Sequence, residues 1–352
     1  MILTVTLNAA LDITYRVPSL RARTTHRVAE VAERAGGKGL NVARVLAALG
    51  HRAVVAGFAG GATGEALRGL LAADGAEAFP GASRASGASP ATEASGVSRA
   101  SGVSRASQAA DNDAAPLLTD ALTLIAGATR RTVGVVDESS GDTTQLNEPG
   151  PTITRPEWDA FLLRYRELLG GARAVALCGS LPPGLPVGTY AGLIREAQTA
   201  DVPVLLDTSG EALRRGIAAR PDLVKPNADE LAGLTGSTEP LRAAQDTRRR
   251  GARAVAASLG ADGMLLVTPD GDWQAAPPRA FAGNPTGAGD SAVAGLLSGL
   301  AEGLPWPDRL ARAVALSAAT VLAPVAGEFD RAAYAELLPR VEIARGAETP
   351  EA

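Results

Sequence analysis

The strongest constraint on this chain is a rhythm. Short apolar runs of β character alternate with amphipathic segments of helical length over most of its 352 residues. ILTVTL, just after Met1, reads as a buried strand, and VARVLAALG (42–50) as the end of a helix capped at Gly50. RAVVAGFAG (52–60) is strand-like again, and GEALRGLLAADG (64–75) is helical. ARAVALCG (172–179) and VPVLLD (202–207) are apolar runs separated by the helical YAGLIREAQTA (190–200). ARAVAASLG (252–260) and GMLLVTPDG (263–271) predict two more strands, and GAGDSAVAGLLSGLAEG (287–303) a helix. Parallel strands need long crossovers, usually helical, so the alternation predicts an α/β fold with a mostly parallel sheet covered on both faces. A hydrophobic content of 46% can fill the core of one large domain or two smaller ones.

Two stretches break the rhythm. ALDITYRV (10–17) with HRVAEVAER (26–34), and RRTVGVVDESSGDTTQLNE (130–148), alternate polar and apolar residues and contain turns. They predict a small separate sheet, which beside a ligand site would act as a lid. Its edges are able to pair with a second subunit. Residues 81–115 carry almost no large apolar side chain and repeat ASGVSR at 94–99 and 100–105. Such a segment cannot offset the entropy of ordering, so a disordered surface insertion is expected there. Its serines admit a phosphorylation site, and the repeat admits a simple duplication.

Charge and composition exclude several classes. A net charge of −4 argues against a nucleic-acid or anionic-membrane binder. No apolar run is long enough to span a bilayer, and no basic segment precedes the first strand. One cysteine, Cys178, excludes an internal disulfide framework, and two histidines, His26 and His51, make histidine-rich zinc or Ser-His-Asp chemistry a poor match. A soluble, cytoplasmic protein is expected. Of 34 basic residues only Lys38 and Lys225 are lysines. The arginine and alanine excess fits a GC-rich genome, and against it each lysine sits inside a Gly- or Pro-marked motif where a compact ammonium differs from a guanidinium.

Those motifs carry the chemistry. In NPTGAGDSAVAG (284–295), Gly287, Ala288 and Gly289 lie where a loop becomes a helix, a place where backbone N–H groups and the helix dipole attract an anion. Asp290 follows at once. It is either a first-turn acid favoured by the dipole, or a base that takes a hydroxyl proton while the N–H groups steady a transferred group. AGGKGLNVARVLAALG (35–50) is a second Gly-rich turn. It fits neither a Walker A loop nor a dinucleotide fingerprint. It is a plain helix start, or a polyol site with Asn41 on hydroxyls and Lys38 on a phosphate. In DLVKPNADEL (222–231), Asn227 and Glu230 share a helical face, either to organise hydrated Mg²⁺ or to form a capping box. ASLGADGM (257–264) is a Gly-bearing turn suited to a nucleotide phosphate, or to nothing beyond the turn itself.

Together these motifs resemble the ribokinase-like PfkB sugar kinases. The family's Gly-Gly turn is matched from Gly36 to Ala43 with Gly50 and Gly60, and its Asn-Pro-x-Gly-Ala-Gly-Asp stretch by residues 284–290. Lys225-Pro226-Asn227 with Glu230, and Ser258-Leu259-Gly260 with Gly263, fall between them in the family's order. TLNAALDITYRV, ATRRTVGVVD (128–137) and CGSLPPGLP (178–186) resemble the hexose-phosphate branch, that of 1-phosphofructokinases and tagatose-6-phosphate kinases. Two positions depart from it: Ala9 replaces the usual Pro, and Thr132 the usual Asn after Arg131.

The resemblance implies one kinase domain over 1–352, a three-layer α/β/α sandwich with lid strands about 11–35 and 130–148. It implies ATP- and Mg²⁺-dependent phosphorylation of a primary hydroxyl of a ketohexose phosphate. Fructose 1-phosphate comes first, with tagatose 6-phosphate or fructose 6-phosphate as the alternative. By the same resemblance Asp290 is the base, and the N–H groups of Gly287, Ala288 and Gly289 stabilise the γ-phosphoryl. Asp12, Gly37, Asn41 and Ser180 meet the sugar, and Lys38 and Arg130 its phosphate. Lys225, Asn227, Ser258, Gly260 and Gly263 line ATP, and Glu230 with Asn227 steers Mg²⁺ through water. A kinase of a free sugar or nucleoside would not need Lys38 and Arg130 together, and a non-catalytic sensor would not need Asp290.

Overall fold

Chain direction and sheet order together explain where the site lies. In the computed structural model, which describes residues 1–77, 116–323 and 325–346, β1 (Ile2–Thr6) leads into β2 (Ala10–Val17) and β3 (Glu30–Gly36), and β3 runs into α1 (Lys38–Ala48). β4 (Ala53–Gly60) and α2 (Gly61–Glu77) precede β5 (Leu118–Ile125), β6 (Arg130–Asp137) and β7 (Thr143–Asn147). A regular alternation follows: α3 (Arg155–Leu169), β8 (Ala174–Cys178), α4 (Thr189–Thr199), β9 (Val204–Asp207), α5 (Gly210–Ala218) and β10 (Leu223–Val224). α6 (Ala228–Thr235) and α7 (Pro240–Arg249) lead to β11 (Ala254–Ser258), β12 (Met264–Thr268) and β13 (Gly271–Ala276). The last elements are α8 (Ala288–Glu302), α9 (Trp306–Val321), α10 (Arg331–Leu337) and β14 (Glu342–Arg345). The insertion expected at 81–115 lies outside the described residues.

The large sheet has ten strands in the order β14-β13-β12-β11-β10-β9-β8-β1-β4-β5. From β5 to β11 every pairing is parallel, and β12, β13 and β14 extend it antiparallel. Side chains alternate between its two faces. Ile2 joins one core with Leu40 and Leu46 of α1, Leu296 of α8 and Leu316 of α9. Leu3 and Val5 join the other with Phe161 and Tyr165 of α3, Ile194 of α4 and Leu213 of α5. The expected three layers are therefore present. Burying each such leucine or isoleucine contributes about 1.5–3 kcal/mol. No helix of the described residues is long and apolar enough to cross a membrane.

The chain goes from β1 to β4 and β5 on one side, then returns to place β8 on the other side of β1. Such a reversal opens a crevice at the carboxyl ends of the strands. The small sheet, β3-β2-β6-β7, rises beside it, with β2 and β6 parallel and the other pairs antiparallel. Its strand β3 begins at Glu30, not at His26 as the alternation suggests. His26 is instead held in a turn, its ring bonding the Arg21 N–H at 3.1 Å while Thr24 Oγ1 donates to Arg21 O at 3.0 Å.

Candidate active site

Two carboxylates and two ammonium groups meet at the strand ends. β9 ends on Asp207, which is 1% exposed. Lys38 opens α1, and its Nζ lies 3.3 Å from both Asp207 carboxylate oxygens. Lys225, just past β10, is 5% exposed and its Nζ stands 3.6 Å from Asp207 Oδ1. Asp290, in the first turn of α8 and 8% exposed, accepts a 2.8 Å hydrogen bond from Asn41 Nδ2. Burial, then Asp207, pushes its pKa up to about 6, while Asn41 and the two lysines pull it down. Burial works against the charge on Lys38, yet Asp207, Asp290 and Glu230 together raise its pKa.

The entry into α8 is a tight glycine turn. Gly287 takes φ 86°, the left-handed region that L side chains avoid, and a Cβ there would fall 2.9 Å from Ala326 Cα. The turn spends one expected donor: the Ala288 N–H bonds Pro285 O at 3.1 Å. Ala288 is therefore no free oxyanion donor, because the turn closes on its own amide. Among the described residues the N–H groups of Gly287, Gly289 and Asp290 remain without a partner at the helix end. Lys225 Nζ lies 3.7 Å from where a Gly289 side chain would begin.

The lid supplies a second group. Asp12 lies on β2 directly opposite Thr132 of β6, whose hydroxyl donates to Asp12 Oδ1. Thr132, a departure from the branch pattern, thus still contacts the lid carboxylate. A side chain at Gly36 would occupy the space of the Asp12 carboxyl, so the glycine lets that group lie against the backbone. Burial raises the pKa of Asp12, opposed by Thr132 and by Arg130, Arg44 and Arg34. Arg130 is half-buried and donates to Asn8 O and Glu148 O, each at 3.1 Å. Asn8 Nδ2 in turn donates to Ser180 Oγ at 3.1 Å, tying Ser180 to the same corner. Gly37, at φ 123°, is the N-cap of α1 between the two groups.

A cavity of about 590 Å³ opens beside the first turns of α8. Asn227, Ser258, Gly260 and Gly263 line it with Ala288 and Gly289 at the helix end, and Phe281, Val314 and Val321 give it an apolar wall. Lys225, expected on this wall, is drawn into the interior by Asp207 instead. Asn227 and Glu230 form a complete capping box, with Glu230 N donating to Asn227 Oδ1 at 2.8 Å and Asn227 N to Glu230 Oε2 at 2.9 Å.

Three residues that sequence reasoning passed over organise the site. Asp207 holds both lysines, Asn8 joins Ser180 to Arg130, and Arg44, 6% exposed, donates to Asn41 Oδ1 at 3.0 Å. Asn41, expected on sugar hydroxyls, has its amide engaged on both sides, by Arg44 and Asp290.

The sequence profile of the pfkB family carbohydrate kinases matches residues 5–78 and 118–331. A 1-phosphofructokinase of Rhodobacter capsulatus is 38% identical over 331 residues, 92% of each chain. The Escherichia coli phosphofructokinase-2, solved in complex with fructose-6-phosphate, superposes with a TM-score of 0.79 at 28% identity, covering 96% of this chain and 98% of that one. A possible 1-phosphofructokinase of Thermotoga maritima shares the fold with a TM-score of 0.78 at 23% identity over 99% of this chain and all of its own. With a profile that runs through the sandwich and the lid alike, and a relative this similar over nearly its whole length, the chain belongs to the pfkB family of carbohydrate kinases.

Proposed function

We propose that the enzyme transfers the γ-phosphoryl group of ATP to a primary hydroxyl of a ketohexose phosphate, with fructose 1-phosphate as the substrate and fructose 1,6-bisphosphate as the product. The observation that carries the reading is Asp290: a buried carboxylate, its pKa pushed up to about 6, beside the unpaired N–H of Gly289. A base with a pKa just below neutrality is mostly ionised at pH 7 yet still accepts a proton well. It takes the hydroxyl proton as the sugar oxygen attacks the γ-phosphorus. The bond to the β–γ bridging oxygen breaks, and ADP leaves with that electron pair. The Gly289 and Asp290 N–H groups face the charge that develops, and Lys225 lies close behind them.

Within this reading Asp12, Gly37 and Ser180 border the sugar, and Lys38 and Arg130 meet its phosphate. Lys38 reaches inward to Asp207 and Arg130 holds two backbone carbonyls under the lid, so neither is turned outward as a free-sugar or nucleoside kinase would allow. Asn227, Ser258, Gly260 and Gly263 take the nucleotide. The fit to Mg²⁺ rests on Glu230: the capping box uses only its Oε2 and leaves the other oxygen for a water of the ion. Among the described residues no cluster of three or more His, Cys, Asp or Glu is present. When bound, Mg²⁺ neutralises charge on the β- and γ-phosphates.

The choice of fructose 1-phosphate is supported by the Rhodobacter capsulatus relative, named a 1-phosphofructokinase. The second reading, fructose 6-phosphate or tagatose 6-phosphate phosphorylated at O1, is favoured by the Escherichia coli structure, which holds fructose-6-phosphate. ADP release from Mg·ATP, compared for the three sugars at limiting concentration, decides between them. A tenfold preference in kcat/KM for fructose 1-phosphate, about 1.4 kcal/mol, upholds the assignment. A preference for a 6-phosphate reverses the sugar in the pocket, and turnover of free sugars alone removes Lys38 and Arg130 from the phosphate site.

The same proposal includes a homodimer through the lid, and a cytoplasmic setting that matches ATP and phosphorylated sugars. Val31, Tyr15 and Val135 pair across three lid strands, as do Ile13, Val133 and Leu146, two residues along on the same face. Val31 is 56% and Leu146 60% exposed on that face, opposite to Asp12. A second copy laid on it would cover them.

A further inference from the structure

We propose that Arg44 is a positioning residue for phosphoryl transfer: its donation to Asn41 dictates which way that amide faces, and so obliges Asn41 to donate to Asp290. The proposal rests on the reading of Asp290 as the base and adds a residue that stands one step behind it.

An asparagine amide has nearly the same shape either way round, and its partners decide which end points where. A guanidinium has five donors and no acceptor. Arg44 lies one helical turn after Asn41 on α1, and its own orientation is fixed from two other elements. Nε donates to Asp74 Oδ2 of α2 at 2.6 Å, and Nη2 donates to Ala35 O on lid strand β3. The remaining Nη1 therefore aims at Asn41, and only Oδ1 can accept from it, at 3.0 Å. Nδ2 is then left to face Asp290 Oδ2, at 2.8 Å. Reversed, the amide would set donor against donor at Arg44 and a carbonyl oxygen against a carboxylate at Asp290. Gly327 covers the pair: a side chain there would start 3.0 Å from Asn41 Oδ1 and 3.3 Å from Arg44 Cδ.

The consequence reaches the protonation of Asp290. The groups that act on it come from several elements: Asp207 at the end of β9, Lys38 and Asn41 on α1, Lys225 after β10, and the Cys178 thiol at the end of β8. Burial and Asp207 favour the neutral acid, whereas Asn41 and the lysines favour the carboxylate. Without Arg44, Asn41 is free to turn its oxygen toward Asp290 and accept from the protonated acid, so the neutral form gains a partner that the fixed amide denies it.

The test is the pH dependence of kcat/KM for wild type, Asp290→Asn, Arg44→Met and Asn41→Leu. The sugar phosphate and ATP titrate identically in every assay, so their contribution cancels in the comparison. Arg44→Met is expected to move the acid limb up by about one pH unit, with the loss of rate concentrated at low pH. Asn41→Leu moves it in the same direction, and adding Arg44→Met to that background moves it no further. Should the single methionine leave Asp74 unpaired and the fold too weak, Arg44→Met/Asp74→Leu removes the ion pair whole, a replacement that buried pairs commonly tolerate. A folded variant whose profile is lowered but whose limb stays in place overturns the positioning role and leaves Asp290 as the base. A fully active Asp290→Asn overturns both.

Discussion

Lys38 Nζ stands 3.3 Å from each oxygen of the Asp207 carboxylate, a group 1% exposed and also paired with Lys225. One carboxylate thus keeps two ammonium groups side by side at the carboxyl ends of the strands. Removing it leaves their repulsion unopposed. Asp207→Asn is expected to cost about 3 kcal/mol of stability, read from urea denaturation near neutral pH. Because Asp207 also pushes the Asp290 pKa up, the variant's acid limb moves to lower pH, opposite to that of Arg44→Met. A limb that rises would refute the coupling.

Asp290→Asn is expected to lower kcat by about 10²–10⁴ while sugar-phosphate binding, followed by calorimetry, persists. On the proposed reading, the wild-type rate falls as pH drops through about 6 and Asp290 takes up a proton. The folded-state pKa lies above the ordinary 3.8, so ionised Asp290 costs the fold about 3 kcal/mol above pH 6, and nothing once pH falls below 3.8. The inactive asparagine variant is therefore the more stable protein at pH 8. Its advantage in Tm shrinks toward pH 4.

On the proposed reading, Lys38→Met and Arg130→Met each remove a cation that meets the sugar phosphate. Each is expected to raise KM for the sugar phosphate about 10–100-fold, the worth of one charge-assisted hydrogen bond, and to leave KM for ATP within a small factor. Equal losses for both substrates would contradict the division of the site.

Glu230→Gln keeps an acceptor for the Asn227 N–H and so keeps the capping box. Its Tm should match wild type, while the Mg²⁺ concentration for half-maximal rate rises several-fold. Glu230→Ala loses the cap as well, at about 1 kcal/mol. A Gln variant with unaltered Mg²⁺ dependence would confine Glu230 to capping.

Val31→Glu and Leu146→Glu place charge on the open face of the lid. Light scattering should report a dimer for wild type and a monomer for the double variant. A wild-type monomer would dismiss the lid dimer.

How legible was this molecule in its sequence? The buried strands β1, β4, β8, β9 and β11 stand out because parallel strands covered on both faces are continuous apolar runs. β10 does not, since Leu223–Val224 is too short to show a pattern and is held by β9 and β11 on either side. β14 is equally obscure, its Glu342–Arg345 being mostly exposed. In the site, Lys38 was marked by rarity, but its partner lies 169 residues away and is one acid among 38. Only its place, closing an apolar strand at the carboxyl edge of the sheet, hints at Asp207. Arg44 is hidden more thoroughly, because a chain with this many arginines gives no sign of which one is buried. The spent amide of Ala288 depends on how tightly Pro285–Ala288 turns, which residue types alone do not set.

The only two lysines of the chain converge on one carboxylate, which gives the protein an unusual chemical handle. Reagents aimed at lysine amines therefore find both side-chain targets of this sequence beside Asp207. Of the two, Lys38 has 42% of its side chain open to solvent and Lys225 only 6%, so labelling should proceed in two well-separated phases. Reductive methylation with isotopic carbon would place just two side-chain signals in the spectrum, both reporting on the same few ångströms. For the same reason, coupling this protein to a surface through its lysines would immobilise it by the strand ends around Asp207.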